Sequence, residues 1–261
     1  MTASKTKTPL FFNALLSISF LFYFSLSSIS VANSSSSSTQ VDELLQRHID
    51  ASGGELTLMQ LKSISRYGNI NFYNQNNLKN NYCYHTDIVY PTKLLEQIKG
   101  GKIIHERGTD GISYWLWTGN QYEFTADIDL KNNMHDTADR ANRDIMWVKK
   151  DSTNYHVIFS LPYWAPSNNQ CIQQIQGKNT IKRIYCFDTV TGLLSALGSD
   201  EEYRLFSDWR AVENIKIPFC LTHYQNGKII YEVQLDHVEL NKSIPDIRFI
   251  KPTTPQLSCE S

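Results

Sequence analysis

The chain has 261 residues, of which 41% are hydrophobic and 12% aromatic, a length that suits one large β domain or two smaller ones. Its 25 Lys and Arg residues against 26 Asp and Glu residues give a net charge of −1 at pH 7. This balance, without a basic stripe, makes nucleic acid and anionic membrane surfaces poor candidate partners.

The N-terminus has the features of a secretory signal. Lys5 and Lys7 precede an apolar run over residues 10–26, and Ser30-Val31-Ala32 has the small-x-small pattern of a cleavage site. The pattern predicts a signal peptide over residues 1–32, export to the periplasm and a soluble mature chain. The alternative is a membrane anchor, which Asn13 and several serines in the run disfavour. The serine-rich residues 33–40 predict a disordered linker before a domain over residues 41–261.

Two segments of the domain have helical periodicity. The first is ended by Gly53-Gly54, and the second lies in the middle of the chain, between about Lys131 and Val148. The positions at helical spacing are Val41, Leu44, Leu45, His48 and Ile49 in the first segment and Met134, Ala138, Ala141 and Ile145 in the second.

The rest of the domain alternates with a period of two and predicts about eleven strands joined by short turns. Asn226-Gly227 is the strongest hairpin signal, because both turn positions need positive φ. The simplest architecture is mainly β (α+β). A single curved antiparallel sheet forms an unclosed β-barrel, with the helices partly covering its concave face. Full closure of the barrel is left open by the pattern.

Five cysteines bear on the compartment and on redox chemistry. Cys171 and Cys186 flank a plausible hairpin turn at residues 176–179, which predicts a disulfide between them. The odd number leaves at least one thiol free or paired between chains, and no CxxC spacing is present.

A series of short segments in fixed order resembles the LolA-like family of outer-membrane lipoprotein-sorting proteins, the periplasmic lipoprotein carriers. The matching segments are Ala51-Ser52-Gly53-Gly54, Leu61-Lys62-Ser63-Ile64, Tyr90-Pro91 with Lys93, Thr109-Asp110-Gly111 with Trp115, Phe187-Asp188 with Thr191-Gly192-Leu193-Leu194, Asp208-Trp209-Arg210 with Val212, Ile217-Pro218-Phe219, Asn226-Gly227-Lys228, and Asn241 with Ile244, Asp246, Phe249 and Lys251-Pro252.

The resemblance covers almost the whole mature chain and implies an unclosed β-barrel with a helical lid. Its concave side would receive the acyl chains of lipoproteins or of other lipids, and a donor and an acceptor protein of the cell envelope would be its partners. The Asn-rich residues 74–81, the Trp164-Ala165-Pro166 loop and the cysteines are not part of the family pattern.

An acyl-binding cavity needs apolar area that the protein does not fill itself. The candidate lining residues are Ile70, Phe72, Tyr84, Ile88, Trp115, Trp117, Val157 and Phe159 on the strands, and Met134 and Ile145 on the underside of the lid. The alternative for each of them is ordinary packing between the sheet and the helices.

Arg66 is the most informative charged residue, because it is in register with Ile64, Ile70 and Phe72 and should point inward. It could hold a lid carbonyl or contact a polar group of the cargo; alternatively, the strand end curls into solvent.

Enzyme motifs are absent from the sequence: it has no G-x-S-x-G and no H-E-x-x-H. His135, Asp136 and Asp139 are interpreted as a solvated helix face, and the pair Asp127 and Asp129 lacks the rest of a calcium loop. We therefore expect a non-enzymatic carrier of acyl chains that has no cofactor and no metal. The alternative is an envelope protein-interaction or sensing module on the same fold.

Overall fold

The computed structural model describes residues 34–73, 79–175 and 183–254, with side chains from residue 38 onward. The predicted signal peptide, its cleavage point after Ala32 and the predicted turn at residues 176–179 lie outside these residues. The first helix, α1, spans Ser34–Ala51. It therefore begins inside the stretch 33–40, which the sequence predicted to be a disordered linker.

The elements alternate between runs of strands and short helices. The first part contains α2 (Glu55–Met59), β1 (Ser63–Tyr73), β2 (Lys79–Val89), β3 (Lys93–Lys99), β4 (Ile103–Thr109), β5 (Tyr114–Trp117) and β6 (Tyr122–Phe124). The second part contains α3 (Ile128–Arg140), α4 (Asp144–Lys150), β7 (Tyr155–Ile158), β8 (Asn169–Gln174), β9 (Ile184–Asp188), β10 (Leu194–Gly198), β11 (Glu202–Val212), β12 (Ile215–Gln225) and β13 (Lys228–Leu240). Single 3-10 turns lie at Ser152–Asn154 and Asp246–Phe249.

The thirteen strands of the described residues form one antiparallel sheet in the order β6-β5-β4-β3-β2-β1-β13-β12-β11-β10-β9-β8-β7. Neighbouring strands of the sheet are consecutive in the chain everywhere except at the centre, where β1 pairs with β13 and Ile64 lies opposite Leu240. The sheet ends at β6 and β7 and does not close into a barrel, so the predicted fold class is confirmed.

Two details of the secondary structure differ from the prediction. The strand β6 was missed, because three residues are too short to show alternation. The predicted central helix is divided into α3 and α4 at residues 141–143, where Asn142 has a φ of 58° that a helix cannot contain. No helix within the described residues has both the length and the apolar character needed to cross a membrane.

The central pair of strands is bent at a β-bulge. The pairing of β1 with β13 shifts between Tyr67 and Gly68, which leaves Asp236 as the extra residue of β13. A Cβ atom at Gly68 would lie 2.2 Å from the carbonyl oxygen of Gln234. Glycine is therefore required where the two backbones approach each other, and the bulge adds to the twist and curvature of the sheet.

The concave face carries the main core, and the helices cover it. Successive side chains of a strand point to opposite faces, so Leu94 belongs to the main core and Leu95 to a second cluster on the convex face. The helical residues of the main core are Val41, Leu44, Leu45 and Ile49 of α1, Leu58 of α2, Met134 and Ala138 of α3, and Ile145, Met146 and Val148 of α4. Burial of these apolar side chains is what attaches the four helices to the sheet.

The predicted disulfide between Cys171 and Cys186 is confirmed. The two residues lie directly opposite each other on β8 and β9, in a small convex-face cluster with Trp164 and Tyr203. Cys83 is also disulfide-bonded, and Cys220 carries a free thiol.

Candidate functional site

A cavity of about 660 Å³ lies between the helices and one half of the concave face. Its apolar wall is formed by Ile49 of α1, Leu58 of α2, Ile145 and Met146 of α4, and Leu194, Leu197, Phe206, Trp209 and Pro218 of β10 to β12. Because α3 and α4 form one side of the cavity, any movement of these helices changes access to it.

Two of the predicted site residues line this cavity, namely Arg66 and Ile145. The other predicted residues of the concave face are part of the main core: Met134, Ile70, Ile88 and Val157 are buried, and Phe72 and Tyr84 pack against them. The half of the concave face near β2 is thus filled by the protein's own side chains, and the open space lies near β10 and β11.

Three predicted lining residues are placed elsewhere by the structure, and their prediction was wrong. Trp115 and Trp117 pack with Phe249 in the convex-face cluster, because alternation along β5 does not reveal which of its faces is concave. Phe159 follows the end of β7 and is 92% exposed.

Several cavity residues were not recognised from the sequence, notably Trp209 and Arg204 of β11. The irregular backbone at Asp208 explains Trp209: Asp208 has a φ of 53°, and this interrupts the alternation that assigns side chains to faces. Asp208 forms an ion pair with Arg210, with an Nη2–Oδ2 distance of 2.5 Å.

The break between α3 and α4 is held by Arg66 and Tyr90 from the body of the protein and by Arg143 of the break itself. Arg66 of β1 donates a hydrogen bond to Asn142 Oδ1 at 3.0 Å, and the Tyr90 hydroxyl donates to the Ala141 carbonyl. Arg143 stacks on the Tyr90 ring at 3.9 Å and donates to the carbonyl oxygens of Leu58, Met59 and Leu61. These contacts join residues 141–143 to β1, α2 and the β2–β3 turn, so we call this segment the lid hinge.

Asp144 is a half-buried carboxylate at the start of α4, on the wall of the cavity. Burial raises its pKa above the usual range, although Arg140, Arg183 and Arg204 lie close enough to oppose the shift. The carboxylate has no salt bridge within 4.0 Å among the described residues. The charges of these arginines stabilise the ionised carboxylate, but they do not fully offset the cost of removing it from water.

His135 and Asp136 lie on a solvated helix face, in agreement with the sequence interpretation, whereas Asp127 has a capping role that the sequence did not reveal. The Asp127 side chain accepts hydrogen bonds from the backbone N–H groups of Asp129 and Leu130 and so caps α3. His135 and Asp136 are exposed on the same helix. Among the described residues, no group of His, Cys, Asp and Glu side chains has the arrangement of a metal site.

His48 of α1 is a buried histidine on the wall of the cavity. The backbone N–H of Leu194 donates to its Nδ1 at 3.1 Å, and Ser52 Oγ lies 3.2 Å from its Nε2. This arrangement fits a neutral ring with its proton on Nε2. Burial lowers the pKa of His48 to about 4, and the nearby Gly192 carbonyl only partly opposes the shift.

We expect His48 to make the stability of the protein sensitive to mild acid. The unfolded chain takes up a proton near pH 6.5 and the folded chain only near pH 4, so the free energy of unfolding decreases as the pH falls between these values. The loss is about 2 kcal/mol between pH 7 and pH 5. Urea unfolding at both pH values measures it, and His48→Gln should remove most of this dependence. The exposed control His135→Gln should retain it, and an unchanged slope in His48→Gln would refute the assignment.

Glu96 of β3 anchors the other end of the lid through an ion pair on the concave face. Its Oε2 lies 2.6 Å from Arg107 Nε and 3.5 Å from His105 Nε2. Arg107 Nη1 in turn donates to Asn133 Oδ1 of α3 at 2.7 Å. Burial by itself would raise the pKa of Glu96, but the hydrogen bonds and charges of His105 and Arg107 outweigh it and hold the pKa at about 2.

Comparison with known proteins gives similarity to solved structures only. No protein-family model matches the chain, and no curated protein matches it. A LolA superfamily protein from Nitrosomonas europaea superposes with a TM-score of 0.50 and 11% identity, over 81% of this chain and 97% of that one. An outer membrane lipoprotein-sorting protein domain from Vibrio parahaemolyticus gives 0.50 and 8%, over 83% and 97%.

A DUF1329 family protein from Desulfovibrio piger has a TM-score of 0.53 and 7% identity, with 81% of this chain and 96% of that chain covered. At sequence identities this low, the structural similarity establishes the fold but not the function. The chain therefore shares the fold of these solved proteins, and the predicted resemblance is confirmed at the level of the fold.

Proposed function

We propose that this protein is an exported, non-enzymatic carrier that binds an acyl chain of a lipid or lipoprotein in its cavity. The observation that carries this proposal is the unfilled volume of about 660 Å³ beneath α3 and α4, with an apolar wall on the sheet side. Burial of an alkyl chain against such a wall is favourable by about 0.8 kcal/mol per CH₂ group.

The lid hinge supplies the element that such a carrier needs for loading. The break at residues 141–143 separates two short helices, and its hydrogen bonds with Arg66, Tyr90 and α2 are polar contacts. Polar contacts can be exchanged with water when the lid opens, whereas the apolar undersides of α3 and α4 favour closure. Release would then be directed by an envelope partner with a higher affinity for the same chain.

Export is part of the proposal. A signal peptide over residues 1–32 would deliver the domain to the periplasm, and the disulfide between Cys171 and Cys186 suits an oxidising compartment. One of the similar structures is a lipoprotein-sorting protein domain, which makes an acyl cargo the natural first candidate.

The competing role is an interaction or sensing module without a ligand. The filled half of the concave face, where Ile70, Ile88 and Met134 are buried, favours it. In that case the remaining volume would take up no acyl chain, and a stable protein partner would be recovered in its place.

The test begins with native mass spectrometry of protein purified without detergent, followed by titration with a neutral fluorescent acyl probe. We expect one bound chain per protein and a rise in the unfolding temperature, since a ligand at 100 times its Kd stabilises the folded state by about 2.7 kcal/mol. Leu197→Trp extends a ring into the cavity and should weaken probe binding about tenfold by steric exclusion. The control variant Val190→Trp changes an exposed residue outside the cavity lining, and it should bind the probe with unchanged affinity. The carrier function would be overturned if the purified protein contained no bound lipid and also did not bind the probe.

A further inference from the structure

The cavity wall has an excess of positive charge, although the whole chain has a net charge of −1. Six basic side chains line it: Arg66, Arg140, Arg143, Arg183, Arg204 and Lys216. Four acidic side chains line it as well: Asp136, Asp144, Glu201 and Glu202. An apolar acyl chain alone gives no reason for five arginines on one cavity.

Two of these arginines form contacts that stabilise the lid, which consists of α3 and α4. Arg143 donates to three backbone carbonyls and stacks on Tyr90. Arg140 lies 3.8 Å from Asp136 one helical turn away and contacts the Trp147 ring. Their presence is accounted for by α2, α3 and α4 themselves.

The other three arginines come from the sheet side and form no salt bridge with any carboxylate of the described residues. Arg66 is half-buried on β1 and contacts Asn142, so at least four of its five N–H donors are not used in that contact. Arg183 and Arg204 are exposed, next to the hydroxyl groups of Tyr185 and Tyr231. Since both also line the cavity, they lie at its solvent-facing mouth.

Apolar residues lie on the wall between these charges. Leu194 and Leu197 of β10 and Phe206 of β11 line the same cavity as Arg204, which is two residues from Phe206 on the same strand face. A cationic mouth above an apolar interior matches an amphiphile with a negative head and a hydrocarbon tail. A guanidinium group binds carboxylate and phosphate oxygens with two parallel hydrogen bonds.

We propose that the cargo is an acyl compound with an anionic head group, a carboxylate or a phosphate ester, and that Arg183 and Arg204 hold this group at the cavity mouth. The inference rests on the proposed carrier function and adds the chemical class of the ligand. The carboxylate of Asp144, which faces the same arginines from the lid, competes with the head group for them.

The first experiment compares ligands that have the same acyl chain but different head groups, all below their critical micelle concentrations. Oleate, oleoyl lysophosphatidate and neutral monooleoylglycerol displace the neutral fluorescent probe from the intact protein. We expect at least one anionic ligand to bind about tenfold more tightly than monooleoylglycerol, as charge-assisted hydrogen bonds predict, and this advantage to shrink in high salt. Preference for oleate identifies a carboxylate source, and preference for lysophosphatidate a phospholipid source.

Equal affinity for all three ligands would overturn the head-group proposal and leave the carrier function standing. Binding of none of them would contradict the carrier function itself. The two proposals therefore fail in distinguishable ways.

The second experiment assigns the residues. Arg183→Gln and Arg204→Gln should each reduce the affinity for the preferred anionic ligand about tenfold and leave the affinity for monooleoylglycerol unchanged. The neutral ligand thereby reports that each variant is folded. Asp144→Asn should tighten anionic binding several-fold, because the competing negative charge is removed.

Arg210→Gln is the matched control, since Arg210 lies on the same strand as Arg204, pairs with Asp208 and does not line the cavity. It should leave the ratio of anionic to neutral affinity unchanged. The residue assignment would be overturned if neither Arg183→Gln nor Arg204→Gln changed that ratio, or if Arg210→Gln changed it equally.

Discussion

Replacement of Gly68 by alanine is expected to lower the free energy of unfolding by about 3 kcal/mol or more. The new Cβ atom would lie 2.2 Å from the Gln234 carbonyl oxygen and 2.7 Å from Leu235 Cα, and both are backbone atoms of the paired strand. Neither can move without separating β1 from β13 at the bulge. Chemical denaturation followed by circular dichroism measures the loss.

Gly100→Ala is the matched control for this substitution. Its Cβ atom would lie 2.6 Å from a carbon of the Tyr82 ring, which is a side chain that can rotate away. We expect a change below about 1 kcal/mol for the control. If the two variants were equally stable, the close approach at the bulge would not be a constraint on the fold.

Glu96→Gln is expected to destabilise the protein by about 3 kcal/mol at pH 7. The folded state holds the pKa of Glu96 at about 2 against its usual value of 4.5, and this difference corresponds to a stabilisation of about 3 kcal/mol above pH 4.5. The unfolded chain binds the proton first as the pH falls, so the stabilisation is lost between pH 4.5 and pH 2. Wild type and variant should therefore differ by only about 1 kcal/mol at pH 3.

The control is Glu239→Gln, which removes another glutamate that lies 3.5 Å from a histidine on a strand. That pair, with His237, is exposed, and exposed ion pairs contribute little. We expect its removal to change the free energy of unfolding by less than about 1 kcal/mol at any pH. A pH-independent loss in Glu96→Gln would show that packing, and not the charge of Glu96, is responsible.

The sheet could be predicted from the sequence because its signals are local. The Asn226-Gly227 turn has φ values of 50° and 73°, as such a hairpin requires, and the pair Cys171 and Cys186 is joined as expected. The order of neighbouring strands follows from short connections, and the family resemblance indicated an unclosed sheet.

The site was only partly predictable, for physical reasons that particular residues show. Alternation assigns side chains to two faces without telling which is concave, and Trp115 was placed on the wrong one. The positive φ of Asp208 changes the face of the residues that follow it and places Trp209 on the cavity. Residue types alone also could not show that Ile70 is buried in the core whereas Leu197 lines the open cavity.

The central pairing of β1 with β13 has a consequence for the order in which the strands of the sheet assemble during folding. Every other strand pairs with its neighbour in sequence, so two separate meanders can form while the chain is still emerging. The contacts between Ile64 and Leu240 form only when the chain from β1 to β13 is available. Until β13 arrives, β1 is an open strand edge that can pair with a second molecule. Completion of the concave face therefore waits for the last strand of the sheet, and aggregation before β13 pairs with β1 is the kinetic risk of this topology.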